Sequence, residues 1–391
     1  MRRLALFLIV LWLPPTWACA APFTPASDEQ VLERLPGRAA DPRARELREL
    51  RQQLSRRPDD VELAVRLARR YFDAVAAEGD PRYIGHAQAA LAPWWALPAP
   101  PADVRVMRAK LRQFDHEFDA ARADLAAVVA ADPGHADAWA WLAAIAMVQA
   151  RYADARQACL QLAPLTTPLT GTACAAAVDA VTGRAGAAVQ ALDAALAASP
   201  QAGSDERLWA LTRLAETLDR LGRHAEAEAA YRRALALGIT DGYLLAAYAD
   251  FLLDRSRPKE VIDLLTGKQR SDLLLLRLAL AAKASNAAAG GGWAAELSAR
   301  FDAARQRGDT SHQKEEARFS LAVVGEPARA LPLAEANFAV QREPADARVL
   351  LEAALAAGQP AAAAPVLKWM ADSGIESQAL KSLADRIKGK P

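Results

Sequence analysis

Small and large apolar residues recur with helical spacing along most of the chain, and one segment shows the pattern most completely. In residues 222–235, GRHAEAEAAYRRAL, the small Ala227, the large Tyr231 and the small Ala234 lie on one face of a helix. Thirteen residues before Ala227 stands Leu214, which a second small residue follows. Small residues let two antiparallel helices approach closely, and large ones fill the space beside them, so this stretch predicts a helical hairpin.

The same arrangement of small and large residues recurs elsewhere in the chain. Further copies lie at residues 58–71, 121–133, 139–162, 183–200, 245–265 and 350–358. One hairpin cannot bury its own apolar face, so the copies are predicted to stack and share a continuous core. Prolines at the turns between copies exclude one long helix or coiled coil.

These copies resemble the tetratricopeptide repeat (TPR) superfamily over residues 58–374, most specifically in the copy at residues 222–235. The resemblance implies an all-α, right-handed solenoid of stacked antiparallel helix hairpins with terminal capping helices. We expect irregular structure at 273–310, with a loop of small residues at 286–292, and a kink or shifted start in the helix that contains Pro332.

The beginning of the chain has the pattern of an export signal. Arginines at positions 2 and 3 precede an unbroken apolar run at 4–13, and small residues follow at 18–20. A membrane span needs about 20 apolar residues, so we expect a cleaved secretory signal. Cleavage is expected after Ala20, with Ala21 as the alternative. Cys19 permits a second interpretation, a lipoprotein anchored through that cysteine.

The expected organisation of the chain follows from these patterns. It comprises a cleaved signal peptide (1–20), an extended segment (21–41), the TPR-like array (42–374) and a C-terminal capping helix with a tail (375–391). The stretches VLERLP (31–36), GDPRY (79–83) and QKEEARF (313–319) resemble a group of exported bacterial TPR proteins without an assigned activity. That resemblance implies a periplasmic location and brings no catalytic residues.

Composition removes several classes of function. Lys and Arg together number 48 against 47 Asp and Glu, so the chain lacks the basic excess that nucleic-acid binding needs. The 5 histidines are far apart, and none has the two-histidine spacing of a metalloprotease. Nucleophile-elbow, dinucleotide-binding and phosphate-loop motifs are missing from the sequence. We therefore expect no catalytic residues, no metal and no cofactor.

Two cysteines remain after the expected cleavage. Cys159 lies near the end of one predicted helix and Cys174 near the start of the next, on either side of a turn near Thr166. Similar distances from the turn bring them side by side in an antiparallel pair, so we predict a disulfide in an oxidising compartment. The alternatives are two buried thiols or, less favoured because the two-residue spacing is missing, a redox-active pair.

In TPR proteins the first helices of successive repeats line a concave face where ligands usually bind. Projected onto this sequence, that resemblance implies these candidate binding residues: Trp209, Thr212, Glu216, Asp219, Arg220, Tyr243, Asp250 and Asp254. Trp209 and Tyr243 are 34 residues apart, as are Glu216 and Asp250, which implies aromatic and carboxylate side chains stacked along a groove. Such a groove suits an extended peptide with basic and apolar side chains. Alternatively, the charges form a solvated face and the aromatics pack on neighbouring helices.

Together these observations predict a non-catalytic TPR scaffold or adaptor in the bacterial cell envelope that binds another protein or an extended peptide. Two alternatives remain open: a lipid-anchored component of an envelope assembly machine, and an accessory subunit of an envelope enzyme.

Overall fold

The structure is a computed structural model that describes residues 42–389, so the predicted signal peptide and extended segment lie outside the described residues. The chain divides into two units, residues 1–48 and 49–391. Of the first unit, the structure describes residues 42–48, which are helical. The second unit contains the helical array.

The described residues contain α-helices and no β-strand. The α-helices are α1 (Pro42–Arg56), α2 (Val61–Glu78), α3 (Arg82–Ala90), α4 (Ala92–Trp95), α5 (Ala102–Phe114), α6 (Phe118–Ala131), α7 (Ala136–Val148), α8 (Tyr152–Leu162), α9 (Pro168–Asp179), α10 (Ala185–Ala198), α11 (Ser204–Arg220), α12 (His224–Leu235), α13 (Gly242–Asp254), α14 (Pro258–Leu265), α15 (Asp272–Ser285), α16 (Gly290–Gln306), α17 (Gln313–Phe319), α18 (Pro327–Val340), α19 (Pro344–Ala356), α20 (Ala364–Ser373) and α21 (Gln378–Ile387). Short 3₁₀ segments cover Ala163–Leu165 and Pro360–Ala363, and a π-helical segment covers Ser320–Val324.

Consecutive helices pack in pairs, so the predicted all-α, TPR-like solenoid is confirmed. The hairpin of α11 and α12 buries the positions on which the prediction was based. Ala227, Tyr231 and Ala234 on α12 lie in one core with Leu214 and Ala215 of α11. The small residues have almost no exposed surface, because the facing helix lies directly against them.

Side-chain caps fix the start of several first helices in these pairs. Asp60 accepts a hydrogen bond from the Leu63 amide at 2.9 Å, and Asp241 accepts one from the Leu244 amide at 2.7 Å. The capping oxygen satisfies an amide that has no partner within its own helix. Each cap therefore fixes where a repeat begins.

One local expectation differs from the structure. The loop predicted at 286–292 ends earlier, because α16 already begins at Gly290. A Cβ atom on Gly290 would lie 2.8 Å from the Cβ of Ala282, so the missing side chain lets α16 pack closely on α15. Pro332 lies inside α18, at the sixth position of a helix that begins at Pro327. A proline there cannot donate to the Ala328 carbonyl, so α18 lacks one intrahelical hydrogen bond, and the expected kink stays a prediction.

Helices α8 and α9 are covalently linked. Cys159 and Cys174 form a disulfide, with their Cα atoms 5.5 Å apart. Both side chains belong to the core between these helices.

The array coils back on itself, so that its last helices touch its earlier ones. The Arg342 amide donates to the Val148 carbonyl at 2.8 Å, and the Trp369 indole N–H donates to the Tyr152 hydroxyl at 2.9 Å. Gly183, whose φ is +74°, lies against the turn between α20 and α21. A Cβ atom at this position would be 3.2 Å from the carbonyl oxygen of Gly374. Helices α18 to α21 thus pack against the region from α7 to α11, a contact that the repeat pattern did not predict.

Candidate functional site

The inner face of the array is formed by the first helices of successive pairs. Helices α2, α5, α7, α9, α11, α13, α15, α17 and α19 each contact the next one in this series. The residues that the sequence proposed for ligand binding lie on two of these helices, α11 and α13. Because the array coils back on itself, helices far apart in sequence meet across this face.

Two of the proposed ligand-binding residues are used for packing. Trp209 is half-buried and packs against two adjoining core clusters. Thr212 is only 4% exposed, and its hydroxyl donates to the Leu208 carbonyl at 2.8 Å. Trp209 thus fills a gap between repeats and the Thr212 hydroxyl is satisfied within its own helix, while their part in ligand binding stays a prediction.

Glu216 and Tyr243 meet on the inner face, together with an arginine that the sequence did not single out. The Tyr243 hydroxyl donates to Glu216 Oε1 at 2.6 Å, and Arg213 lies 3.3 Å from Glu216 Oε2. The Arg213 guanidinium also lies 4.7 Å from the centre of the Tyr243 ring, a cation–π contact. Tyr243 thus has a guanidinium against its ring and a carboxylate at its hydroxyl, and the expected stack with Trp209 does not form.

The two aspartates of α13 are neutralised by arginines from later helices. Asp250 accepts hydrogen bonds from Arg277 at 2.6 Å and from Arg318 at 2.7 Å. Burial acts to raise the pKa of Asp250, but these two guanidinium groups outweigh it and hold the value at about 2. Asp254 accepts two hydrogen bonds from Arg348, at 2.6 and 2.7 Å.

The paired aspartates change the interpretation of the inner face. An acidic groove open to a basic peptide was expected, but the basic partners are supplied by the chain itself. A peptide lysine would have to displace a bidentate arginine, whose geometry fits a carboxylate better.

Asp219 and Arg220 end helix α11 and have different surroundings. Asp219 pairs with Arg255 and lies 3.1 Å from His224 Nδ1, at the turn between α11 and α12. Arg220 donates one hydrogen bond, to Thr217 Oγ1 at 3.2 Å, and its Nε has no acceptor. Within the part of the chain that the structure describes, Arg220 has no ion-pair partner.

The sequence analysis missed a buried group of charges between α17 and α19. The Lys314 ammonium lies 3.3 Å from the carboxylate of Asp346, which is only 1% exposed. Asp346 also accepts a hydrogen bond from the Glu343 backbone amide, as part of the capping box of α19. Burial, and then the nearby Asp346, raise the pKa of Glu343. The sequence signal for this group was the stretch QKEEARF (313–319), which also contains Arg318. In the sequence analysis that stretch indicated only a resemblance to exported TPR proteins.

A second surface lies where α18 to α20 pack against α7 and α8. It is a hollow of about 920 Å³ whose floor includes Tyr152, Phe338 and Trp369. A neighbouring hollow of about 450 Å³ shares Arg151, Ala339 and Arg342 with it. We call these two hollows together the trough. Of its floor, Phe338 and Trp369 are only 3% and 6% exposed, whereas Tyr152 is half-buried.

Most charges of the trough are paired. Arg151 pairs with Asp154 at 2.6 Å, and Lys368 pairs with Asp372 at 2.7 Å. Arg342, shared by both hollows, and Glu335, which lines the larger one, are exposed and have no ion-pair partner among residues 42–389. The trough therefore combines an apolar floor with one unpaired charge of each sign.

Among residues 42–389, no group of three or more His, Cys, Asp or Glu side chains is arranged to hold a metal ion. In the same range no helix is both long enough and apolar enough to cross a membrane.

Comparison with known proteins agrees with this geometry. Residues 115–168 match the tetratricopeptide repeat. Among solved structures the chain is similar to the APC/C hetero-tetramer Cut9–Hcn1, with 13% identity, a TM-score of 0.50 and coverage of 84% of this chain and 64% of that one. It also resembles a human IFIT1 dimer with m7Gppp-AAAA, with 13% identity, a TM-score of 0.41 and 88% coverage of both chains. No curated protein matches the sequence.

Proposed function

We propose that this protein is a non-catalytic scaffold of the bacterial cell envelope that binds another protein through the trough. TPR-like arrays generally bind proteins and are usually non-catalytic. The observation that favours the trough is the difference in charge balance between the two surfaces. The aspartates of α13 on the inner face are already paired, whereas the trough is a hollow with an apolar floor beside Arg342 and Glu335, which have no ion pair in the described chain.

The bound segment is expected to be complementary to this surface. Apolar side chains would cover the floor around Phe338 and Trp369, and a carboxylate would pair with Arg342. An acidic, apolar segment of a partner protein satisfies both requirements. This differs from the basic peptide that the sequence favoured for the inner face.

The envelope location is supported by the sequence and by one covalent link. Residues 1–20 have the pattern of a secretory signal, and the Cys159–Cys174 disulfide is of a kind that persists in oxidising compartments. Fractionation of the expressing bacterium, with the mass of the mature chain, tests this. A soluble periplasmic chain that begins at Ala21 supports export, whereas a lipid-modified Cys19 in the membrane fraction supports the anchored alternative.

Partner capture from an envelope extract tests the trough. The mature chain is compared with Ala339→Trp, which fills the trough from an exposed position, and with Ala197→Trp, an exposed change on α10. We expect a partner that the parent and Ala197→Trp retain and that Ala339→Trp loses. A partner that binds all three equally would move the site elsewhere, and a chain that captures nothing would contradict the scaffold function.

The nature of the contact can then be tested on the captured partner. Arg342→Glu should weaken binding by about 10-fold or more, because it places a carboxylate against a carboxylate. Arg151→Glu is a less informative change, since its charge is already matched by Asp154. If the partner binds Arg342→Glu as tightly as the parent, the bound segment does not pair a carboxylate with Arg342. Binding in the trough is then decided by the Ala339→Trp comparison alone.

A further inference from the structure

The inner side of α11 carries two arginines on either side of a single carboxylate. Arg213 pairs with Glu216, whereas Arg220 has no carboxylate within ion-pair distance in the described chain. The other arginines of this region are all paired with carboxylates: Arg255 with Asp219, Arg277 and Arg318 with Asp250, and Arg348 with Asp254. Arg220 is thus the exception in a region where charges are otherwise matched.

Neighbouring carboxyl groups are not free to compensate Arg220. Both oxygens of Glu216 are engaged, Oε1 by the Tyr243 hydroxyl and Oε2 by Arg213. Glu343 is engaged elsewhere, because its carboxylate accepts the Asp346 backbone amide in the capping box of α19. The inner charge cluster, defined as Arg213, Glu216, Arg220 and Tyr243, therefore carries one excess positive charge.

An excess charge in this position is energetically unfavourable unless something solvates or pairs it. Burial lowers the pKa of Arg220, yet a guanidinium keeps its proton in proteins at neutral pH. An uncompensated interior charge is costly, and pairing with an anion removes most of that cost. A negatively charged group that bound beside the Arg220 guanidinium would remove most of this cost, which favours its binding.

The inner charge cluster is partly accessible to solvent. Tyr243 is 46% exposed, so part of its ring is in contact with water. The Arg220 guanidinium uses one hydrogen bond, to Thr217, and the rest of its donors are available. Arg213 also has an Nε without an acceptor.

We propose that the inner charge cluster binds a small oxyanion, a carboxylate or phosphate group of a soluble ligand, through the guanidinium of Arg220. The phenol ring of Tyr243 and the guanidinium of Arg213 border the bound group and limit its size. The site uses a different arginine from the trough, so Arg220→Gln and Arg342→Glu test the two proposals separately.

Two substitutions test the proposal without any ligand. Arg220→Gln removes an unpaired charge, so the variant should unfold at the same temperature as the parent or higher. Arg277→Gln removes a paired charge and leaves Asp250 with one fewer partner, so it should unfold at a lower temperature. If Arg220→Gln lowers the unfolding temperature as much as Arg277→Gln, Arg220 is already compensated and the proposal is wrong.

Ligand binding is then measured with defined probes at constant ionic strength. Inorganic phosphate and succinate are each titrated into the parent, into Arg220→Gln and into Arg223→Gln, which removes an exposed arginine paired with Glu226. We expect a saturable rise of about 2 °C or more in the Tm of the parent and of Arg223→Gln, and none in Arg220→Gln. A response to phosphate alone identifies a phosphate ligand, and a response to succinate alone identifies a carboxylate ligand. No response in the parent, or the same response in Arg220→Gln, would overturn the proposal.

Discussion

Replacing Asp250 by asparagine should loosen the part of the array that contains α13, α15 and α17. The carboxylate of Asp250 joins these helices because it accepts hydrogen bonds from Arg277 on α15 and Arg318 on α17. Asparagine keeps the shape of the side chain but removes its charge. Two arginines, with side chains 8% and 18% exposed, then lose their counter-ion.

The magnitude can be estimated in two ways. The pKa of Asp250 is held at about 2 against an ordinary value of 3.8. This difference corresponds to about 2 kcal/mol of favourable interaction with the ionised form. Removing one member of a buried ion pair costs about 3–5 kcal/mol, and the partial exposure of these side chains reduces that figure. We therefore expect a loss of about 2–4 kcal/mol in the free energy of unfolding.

Urea unfolding followed by circular dichroism measures this loss at neutral pH. Asp372→Asn provides a matched control, because it removes the same charge from a surface pair with Lys368 whose side chains are 76% and 62% exposed. The control should change stability by less than about 0.5 kcal/mol. Hydrogen exchange of the α15 and α17 amides would locate the effect, since arrays of repeats can unfold locally.

The pH dependence has a definite sign. The pKa of Asp250 is lower in the folded chain than its ordinary value, so its contribution is complete above about pH 4 and is lost as the pH falls toward about 2. The difference in stability between the parent and Asp250→Asn should therefore shrink over that range. If Asp250→Asn unfolds at the same urea concentration as Asp372→Asn at neutral pH, the paired arginines do not stabilise this part of the array.

Two further predictions concern the packing and covalent links of the array. Ala227→Trp should destabilise the chain by about 1–3 kcal/mol or more, because Ala227 has no exposed surface between α11 and α12, whereas the exposed Ala197→Trp should stay within about 0.5 kcal/mol in the same urea titration. Equal midpoints for these two variants would contradict the assigned helix register. Cys174→Ser should lower the free energy of unfolding by about 3 kcal/mol, since the disulfide with Cys159 closes a loop with a sequence separation of 15. Reducing the disulfide of the parent should lower the free energy of unfolding by a similar amount. An unchanged free energy of unfolding after reduction would show that the disulfide does not stabilise the array.

Local packing could be predicted from the sequence because it is encoded within about 34 residues. Ala227, Tyr231 and Ala234 follow a spacing that can be satisfied only by a close helix pair, and all three are buried as expected. A helix start that carries a capping side chain is encoded just as locally, since a residue such as Asp241 acts on an amide three residues away. Such information requires no knowledge of distant parts of the chain.

The coiling of the array could not be predicted in this way. Curvature in a solenoid comes from small rotations between repeats, and these accumulate along the chain. The contacts that result join residues far apart in sequence, such as Val148 with Arg342 and Tyr152 with Trp369. The trough exists only because of these contacts, so none of its residues was among the candidates for binding.

The inner face shows why the charge of a single repeat is a poor guide to its ligand. Asp250 and Asp254 occupy the predicted side of α13, but the arginines that neutralise them come from α15, α17 and α19. An arginine and an aspartate that meet across a coil have no fixed spacing in the sequence, so a groove that looks acidic in one repeat can be neutral once the chain has folded. For this reason the two proposed sites use arginines that have no ion pair in the described chain, Arg220 on the inner face of α11 and Arg342 in the trough.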